Sequence, residues 1–325
     1  MKHRSMMFLA ALLILACAAA LSGGYERGWV DRGATAPAGL KGGPVVIHPD
    51  VPYAGTSNPR QRLDLYLPKN RADGKLPVIV FFHGGGWSMG DKSEGAENLV
   101  PLVRSGRYAG VSAGYRLSLE AKWPAQIHDC KAVIRWVRAN AVRYGFDADR
   151  IGVWGSSAGA HLALMLGLST GVPELEGRVG PYTGESSHVT AVVNFFGVTQ
   201  LLAMLERSSG YDPTRSDDPA AVLLGGPVIK NIDKARSASP ISYVDANDPP
   251  VMTVHGTKDR TVPYDQAVRL HAALAKAGVP NYLIKVVGGD HEDFGAAVDE
   301  RVRGFLDRYL QGENVPVSTR PVYKP

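Results

Sequence analysis

A serine hydroxyl is a weak nucleophile until a base removes its proton. A sequence that uses one must therefore also supply a histidine, and a carboxylate to orient that histidine. Ser157 stands in Gly155-Ser156-Ser157-Ala158-Gly159, directly after the apolar run 151–154 and directly before the helical run 160–168. A strand that turns so sharply into a helix leaves no room for side chains two residues before or after the serine, and both positions are glycine. Such a turn presents Ser157 Oγ at the edge of a sheet, near the positive end of the following helix.

A second constellation points to the same chemistry. His83-Gly84-Gly85-Gly86-Trp87 follows the apolar run 77–82. Attack on a carbonyl needs fixed N–H donors aimed where negative charge develops, and consecutive glycines let the backbone come that close. The expected donors are the amides of Gly85 and Gly86 together with that of Ala158, the residue after the nucleophile. Trp87, at the mouth of this loop, is expected to line the substrate site, and Phe196 is read either as a lining residue or as core.

Nine histidines compete for the role of base. His291 lies in Gly288-Gly289-Asp290-His291-Glu292-Asp293, after the last strand-like run and before the last helical one, where a loop can bring it over Ser157. Asp259 closes Val251-Met-Thr-Val-His-Gly-Thr-Lys-Asp and gives the order serine, acid, histidine expected of a strand-turn-helix nucleophile. His255 precedes the acid and breaks that order. His161, one helical turn beyond Ser157, reads as packing or capping, His83 as a brace for its glycine loop, and His271 as part of an amphipathic helix. Asp290 and Asp293 lie too close to His291 in sequence to be favoured as its partner.

The elements that must position these groups are legible as periodicity. Runs 77–82, 109–115, 151–154, 191–196 and 251–254 are short and nearly all apolar, the pattern of strands buried on both faces of a parallel sheet. Residues 62–67 alternate as a half-buried strand, and 282–287 add a further one. Between Trp123 and Gly145, Ile127, Cys130, Ile134, Val137 and Ala141 recur every three or four residues, which predicts one amphipathic helix ended by Gly145. Further helices are expected from Pro263 to Gly278 and over 296–310. The alternation predicts one α/β domain over 44–312, with a mostly parallel central sheet flanked by helices. Residues 199–248, rich in Ser, Asp, Pro and Gly, read as an insertion between the strands near 191–196 and 251–254, over one end of the sheet. Residues 313–325 read as a C-terminal tail.

The N-terminus has the signature of export. Lys2 and Arg4 precede an apolar stretch, and Ala18, Ala19 and Ala20 offer small residues for cleavage, so 1–22 read as a signal peptide and 23–43 as a linker. The stretch falls short of the ~20 residues of a membrane-spanning helix. Ile14-Leu15-Ala16-Cys17 also resembles a bacterial lipoprotein cleavage box, which leaves a lipid anchor at Cys17 open beside a soluble periplasmic or extracellular form. Its removal would leave Cys130 as the sole cysteine, so no disulfide framework is expected. Net charge is +5, two of the positives being Lys2 and Arg4, and this small excess gives no footing for nucleic acid as a partner. Nor does the sequence carry a metal-ligand cluster, a dinucleotide fingerprint or a phosphate-binding loop, so neither metal nor cofactor is expected.

From Arg60 to Leu310 the chain resembles the α/β-hydrolase superfamily. The resemblance is to its lipase and esterase group, which includes bacterial feruloyl and acetyl-xylan esterases and hormone-sensitive-lipase-like carboxylesterases. It rests on HGGGW at 83–87, Trp123-Pro-Ala-Gln-Ile-His-Asp-Cys, Tyr144-Gly145-Phe146-Asp147 with Arg150, GSSAGAHLA at 155–163 and HGTKDRTVP at 255–263. HGTKD with Val262-Pro263 looks more like the feruloyl and acetyl-xylan branch. One departure is Ala160, where such proteins often carry a third glycine. The resemblance implies a serine hydrolase that cleaves carboxylic esters, short-chain acyl, acetyl or feruloyl, through an acyl-enzyme, with the ester free or linked to a polysaccharide. An amide-cleaving relative, such as an aryl formamidase or a small peptidase, uses the same groups and stays open, as does a non-catalytic binding protein on the same scaffold.

Overall fold

The computed structural model describes residues 43–206 and 214–324. The expected signal peptide 1–22, Cys17 and all of the expected linker before Gly43 lie outside the described residues.

Nine strands form one sheet in the order β1-β2-β4-β3-β5-β6-β7-β8-β9. They are β1 (Val45–Pro52), β2 (Arg62–Pro68), β3 (Leu76–Phe82), β4 (Ala109–Ala113), β5 (Phe146–Ser156), β6 (Ala191–Phe195), β7 (Val251–Gly256), β8 (Asn281–Val287) and β9 (Val322–Tyr323). Pairing is antiparallel from β1 to β2 and from β2 to β4, and parallel from β4 onward to β9. The mostly parallel sheet flanked by helices is the architecture that the alternating runs predict.

The near-continuous apolar strands arise because both sheet faces are covered. In β3, Val78, Val80 and Phe82 belong to one core and Ile79 and Phe81 to the other. The first core is closed by the helices Ala125–Ala139, Ala158–Leu168 and Asp265–Ala277 through Ile127, Ile134, Leu162, Leu166, Leu270 and Leu274. The second is closed by the helices Ala96–Val103 and Ala296–Leu310 through Leu99, Val103, Val302, Phe305 and Leu310. Cys130 is buried in the first core, where burial pushes its thiol up and leaves it a packing group.

Several boundaries differ from the sequence expectation. The helix expected over 123–145 is interrupted at Asn140, whose side chain donates to Trp136 O at 2.9 Å, and a second short helix, Ala141–Tyr144, runs into Gly145 at φ +71. β5 begins five residues earlier than the apolar run, at Phe146, because its first residues are partly exposed and carry Asp147 and Arg150, paired at 2.7 Å. β1 was not expected, since its half-exposed sequence VVIHPDVP lacks a clean alternation. The Ala96–Val103 helix was hidden by Pro101 within it. Within the expected C-terminal tail, Val322 and Tyr323 pair with Val286 and Val287 as the edge strand β9, too short to show any period.

Among the described residues of the stretch 199–248 are the short helices Leu202–Glu206, Pro219–Leu224 and Ile232–Ser237. Trp123 N–H donates to Leu223 O at 3.0 Å, and Pro219 borders Gly86, where an added Cβ would lie 3.2 Å away. The motif residue Asp129 holds the neighbouring loop: buried, it accepts from Arg116 N, Nε and Nη2 and from Gln61 Nε2, all at 2.8–2.9 Å.

The turn at Ser157 depends on two missing side chains. A Cβ on Gly159 would sit 2.0 Å from Phe82 O, and one on Gly155 would sit 2.4 Å from the Gly159 carbonyl. The methyl of Ala160 fits because its neighbour is Gly197, whose own Cβ would come within 2.9 Å of it. Gly159→Ala is therefore expected to destabilise the fold by about 3 kcal/mol or more through overpacking against backbone. A thermal melt of the variant checks this, and an unchanged midpoint would contradict it.

Candidate active site

Ser157, Asp259 and His291 lie after three different parallel strands, β5, β7 and β8, and meet at their C-terminal ends. Ser157 occupies φ +53, a conformation that side chains with a Cβ avoid, and its N–H donates to Phe195 O at 2.9 Å. The Ala158–Leu168 helix begins at the next residue. His291 Nε2 lies 2.9 Å from Ser157 Oγ, and His291 Nδ1 lies 2.8 Å from Asp259 Oδ2. The geometry defines the tautomer: Nδ1–H donates to the carboxylate, leaving Nε2 to accept from the serine hydroxyl. The His291 side chain is 18% exposed and that of Asp259 fully buried, so a reacting group can reach the first while the second stays dry.

Asp259 is saturated with donors. Its Oδ1 accepts from the amides of Thr261 and Val262, both at 2.8 Å, and its Oδ2 accepts from His291. His255 Nε2 lies 3.2 Å from Oδ2 and 2.9 Å from Val262 O. Burial alone would raise this carboxyl's pKa, but hydrogen bonds from His255, His291 and the Val262 amide outweigh it and hold the group well below the usual carboxylate range. His255 thus braces Asp259.

The acid loop and the histidine loop are fastened to one another. Lys258 N–H donates to Gly289 O at 2.8 Å, Gly288 N–H donates to Thr257 Oγ1 at 3.0 Å, and Arg260 pairs with Asp290 at 2.8 Å. Asp290 therefore faces Arg260. Asp293 carries a raised pKa from burial and the nearby charges of Glu97 and Asp299.

The glycine loop borders Ser157 directly. A Cβ on Gly84 would lie 3.6 Å from Ser157 Cβ, and Gly85 and Gly86 follow at φ +99 and φ +56. The amides of Gly85, Gly86 and Ala158 are not spent on any hydrogen bond among the described residues. His83 braces the loop: its Nδ1–H donates to Gly84 O at 2.8 Å and its ring stacks on Tyr115 at 4.4 Å, while Tyr115 OH donates to His83 O at 2.9 Å.

Trp87 departs from the expectation. Only 3% of it is exposed, and its indole N–H donates to His161 Nδ1 at 3.0 Å, so it offers a substrate little surface and instead supports the loop from behind. His161 in turn donates from Nε2 to Ala238 O at 2.7 Å, which ties the loop to residues 199–248. Burial lowers the His161 pKa to about 4, which keeps it neutral and able to accept from Trp87. Neither this link nor the His255 contact could be read from spacing, although the histidine in GSSAGAHLA and the one in HGTKD were the available signals.

Comparison with known proteins finds esterases among those to which this chain is similar. The sequence model of the BD-FAE family matches residues 63–274, and that of the TAP-like protein family matches residues 230–320. Esterase LipQ of Mycobacterium tuberculosis is 31% identical over 263 residues, covering 78% of this chain and 59% of the relative. The chain spans about half to three fifths of the length of such curated relatives. Among solved structures, a truncated carbohydrate esterase from gut microbiota aligns with a TM-score of 0.77 and 32% identity, over 85% of this chain and 99% of its own. A propionate-bound esterase from the Planctomycetes species Thermogutta terrifontis aligns with a TM-score of 0.61 and 28% identity, over 83% and 93%.

The Asp259 contacts carry a consequence for acid stability. A carboxylate whose folded pKa is depressed stabilises the fold fully above its unfolded value of about 4, and that contribution is lost as pH falls toward the folded value. Asp259→Asn is expected to be less stable than wild type at neutral pH and to lose less stability on acidification. Urea midpoints measured between about pH 7 and about pH 3 check this, and parallel losses in the two proteins would contradict it.

Proposed function

The chain belongs to the BD-FAE family, and from that premise we propose that it is a serine hydrolase of carboxylic esters acting through an acyl-enzyme. The observation that carries the reading is the continuous chain of contacts from Ser157 Oγ through His291 to Asp259 Oδ2, at 2.9 and 2.8 Å.

In this reading Ser157 Oγ attacks the ester carbonyl while His291 Nε2 takes its proton. Asp259, kept ionised by its donors, stabilises the imidazolium that forms. The tetrahedral oxyanion is met by the amides of Gly85, Gly86 and Ala158, which need no reorganisation because the turn and the glycine loop already fix them. His291 then protonates the leaving alcohol, the ester carbon–oxygen bond breaks, and an acyl-Ser157 ester remains. Water, deprotonated by the same imidazole, attacks that ester, and the acid and the free serine are released. The serine proton leaves with the alcohol and a water proton replaces it on Ser157, so both Ser157 and His291 end the cycle in their starting protonation states.

The substrate class proposed is a short-chain acyl or feruloyl ester carried on a carbohydrate. Support comes from the carbohydrate esterase among the similar structures and from the propionate bound to the Thermogutta terrifontis esterase.

Ser157→Ala and His291→Ala are each expected to lower kcat on p-nitrophenyl acetate by about 10⁴-fold or more. A Ser157→Ala protein with wild-type turnover would overturn the mechanism. Assay of the wild type on acetylated xylan, methyl ferulate, p-nitrophenyl decanoate and N-formylkynurenine separates the substrate classes. Acetylated xylan or methyl ferulate should give the highest kcat/KM, and preference for N-formylkynurenine would move the activity to amides.

A further inference from the structure

Phe196 is a bulky side chain held where bulky side chains are rare. It lies directly after β6 at φ +44, and the glycine that could take this conformation without strain, Gly197, is the next residue. The surroundings over-determine the turn. Phe196 N–H donates to Val254 O at 2.8 Å, Gly197 N–H donates to Asn194 Oδ1 at 2.9 Å, and Asn194 Nδ2 donates to Thr253 Oγ1 at 3.1 Å. The preceding carbonyl, Phe195 O, accepts the amide of Ser157. One clamped turn therefore touches the nucleophile's backbone and sets the direction of the Phe196 ring.

That ring points at the base. Its centroid lies 4.4 Å from the His291 ring, tilted by 57°, with Phe294 at 5.9 Å, Phe195 at 6.1 Å and His255 at 6.5 Å around it. Packing alone does not call for this conformation: Phe195 and Phe196 both belong to the second core, and Phe195 reaches it from an ordinary strand backbone. Strained residues of this kind persist where the fold holds them in place and cluster at functional sites.

We infer that Phe196 is a positioning residue for His291. Its ring fixes the plane of the imidazole on the line from Ser157 Oγ to Asp259 Oδ2. At 4.4 Å it also lies within the roughly 6 Å over which an aromatic ring attracts a cation, so it favours the imidazolium present only after proton transfer. The inference rests on the esterase reading above. Because Phe196 is only 4% exposed, the effect falls on turnover and leaves substrate affinity alone.

The test compares Phe196→Leu, with Phe196→Met as a second ring-free substitution should leucine fail to fold, against the ring-retaining Phe196→Tyr, with Ser157→Ala alongside. The ring-free variant should lose kcat on p-nitrophenyl acetate by about tenfold or more with KM within about twofold. Its Ser157 should react with a small phosphonate ester more slowly by the same factor, and Phe196→Tyr should restore both rates. A folded ring-free variant with wild-type kcat, a loss confined to KM, or equal impairment with and without the ring would overturn the inference. An active Ser157→Ala protein would instead overturn the esterase reading and this inference with it. An inert Ser157→Ala protein beside a fully active ring-free variant would overturn this inference alone.

Discussion

Everything at this site hangs on how closely the start of the Ala158–Leu168 helix approaches the end of β3. The approach is backbone against backbone, with Gly159 where any Cβ would overlap Phe82 O at 2.0 Å, and it forces Ser157 into φ +53. Three consequences follow from that one contact. Ser157 Oγ stands clear of the sheet, the Ala158 amide heads a helix whose dipole favours negative charge there, and the glycine loop leaving β3 is brought against Ser157 Cβ. The strain at Ser157 is held by an entirely buried helix, which fixes the serine in place.

Asp259 is organised by a different balance. A buried carboxylate is costly unless its lone pairs are used, and Asp259 uses them on two backbone amides and two histidines. Its ionisation is thereby secured without a neighbouring Lys or Arg in the contact, which leaves the full negative charge facing His291. His255 shares this carboxylate from inside the core, and its Nδ1 finds no partner among the described residues. The two loops that carry the acid and the base are joined by Lys258 N–H to Gly289 O and by Arg260 to Asp290, so the spacing between them follows from the β7–β8 register.

The sequence made these groups legible where a residue type has only one use. Glycines at 155 and 159 around a serine, a glycine run after a buried strand, and an aspartate and a histidine ending later strands each state a backbone requirement or a charge placement. The two-faced burial of the sheet was equally readable from its apolar runs. What escaped was what depends on side-chain direction. Trp87 looked like a lining residue because it follows the glycines, but at φ +59 its indole turns inward to His161. Phe196 looked like either core or lining, since no pattern in the sequence announces a positive φ at a phenylalanine. The edge strands β1 and β9 escaped because half-exposed or two-residue strands have no period to detect.

The central claim is that Ser157 is the nucleophile and that His291 activates it. Peptide-resolved mass spectrometry after treatment with a phosphonate ester tests it most directly, because the adjacent Ser156 provides an internal control for position. One adduct per chain is expected, located on Ser157 and lost in His291→Ala. An adduct on Ser156 or another residue, no adduct at all, or one that forms equally well without His291 would contradict it.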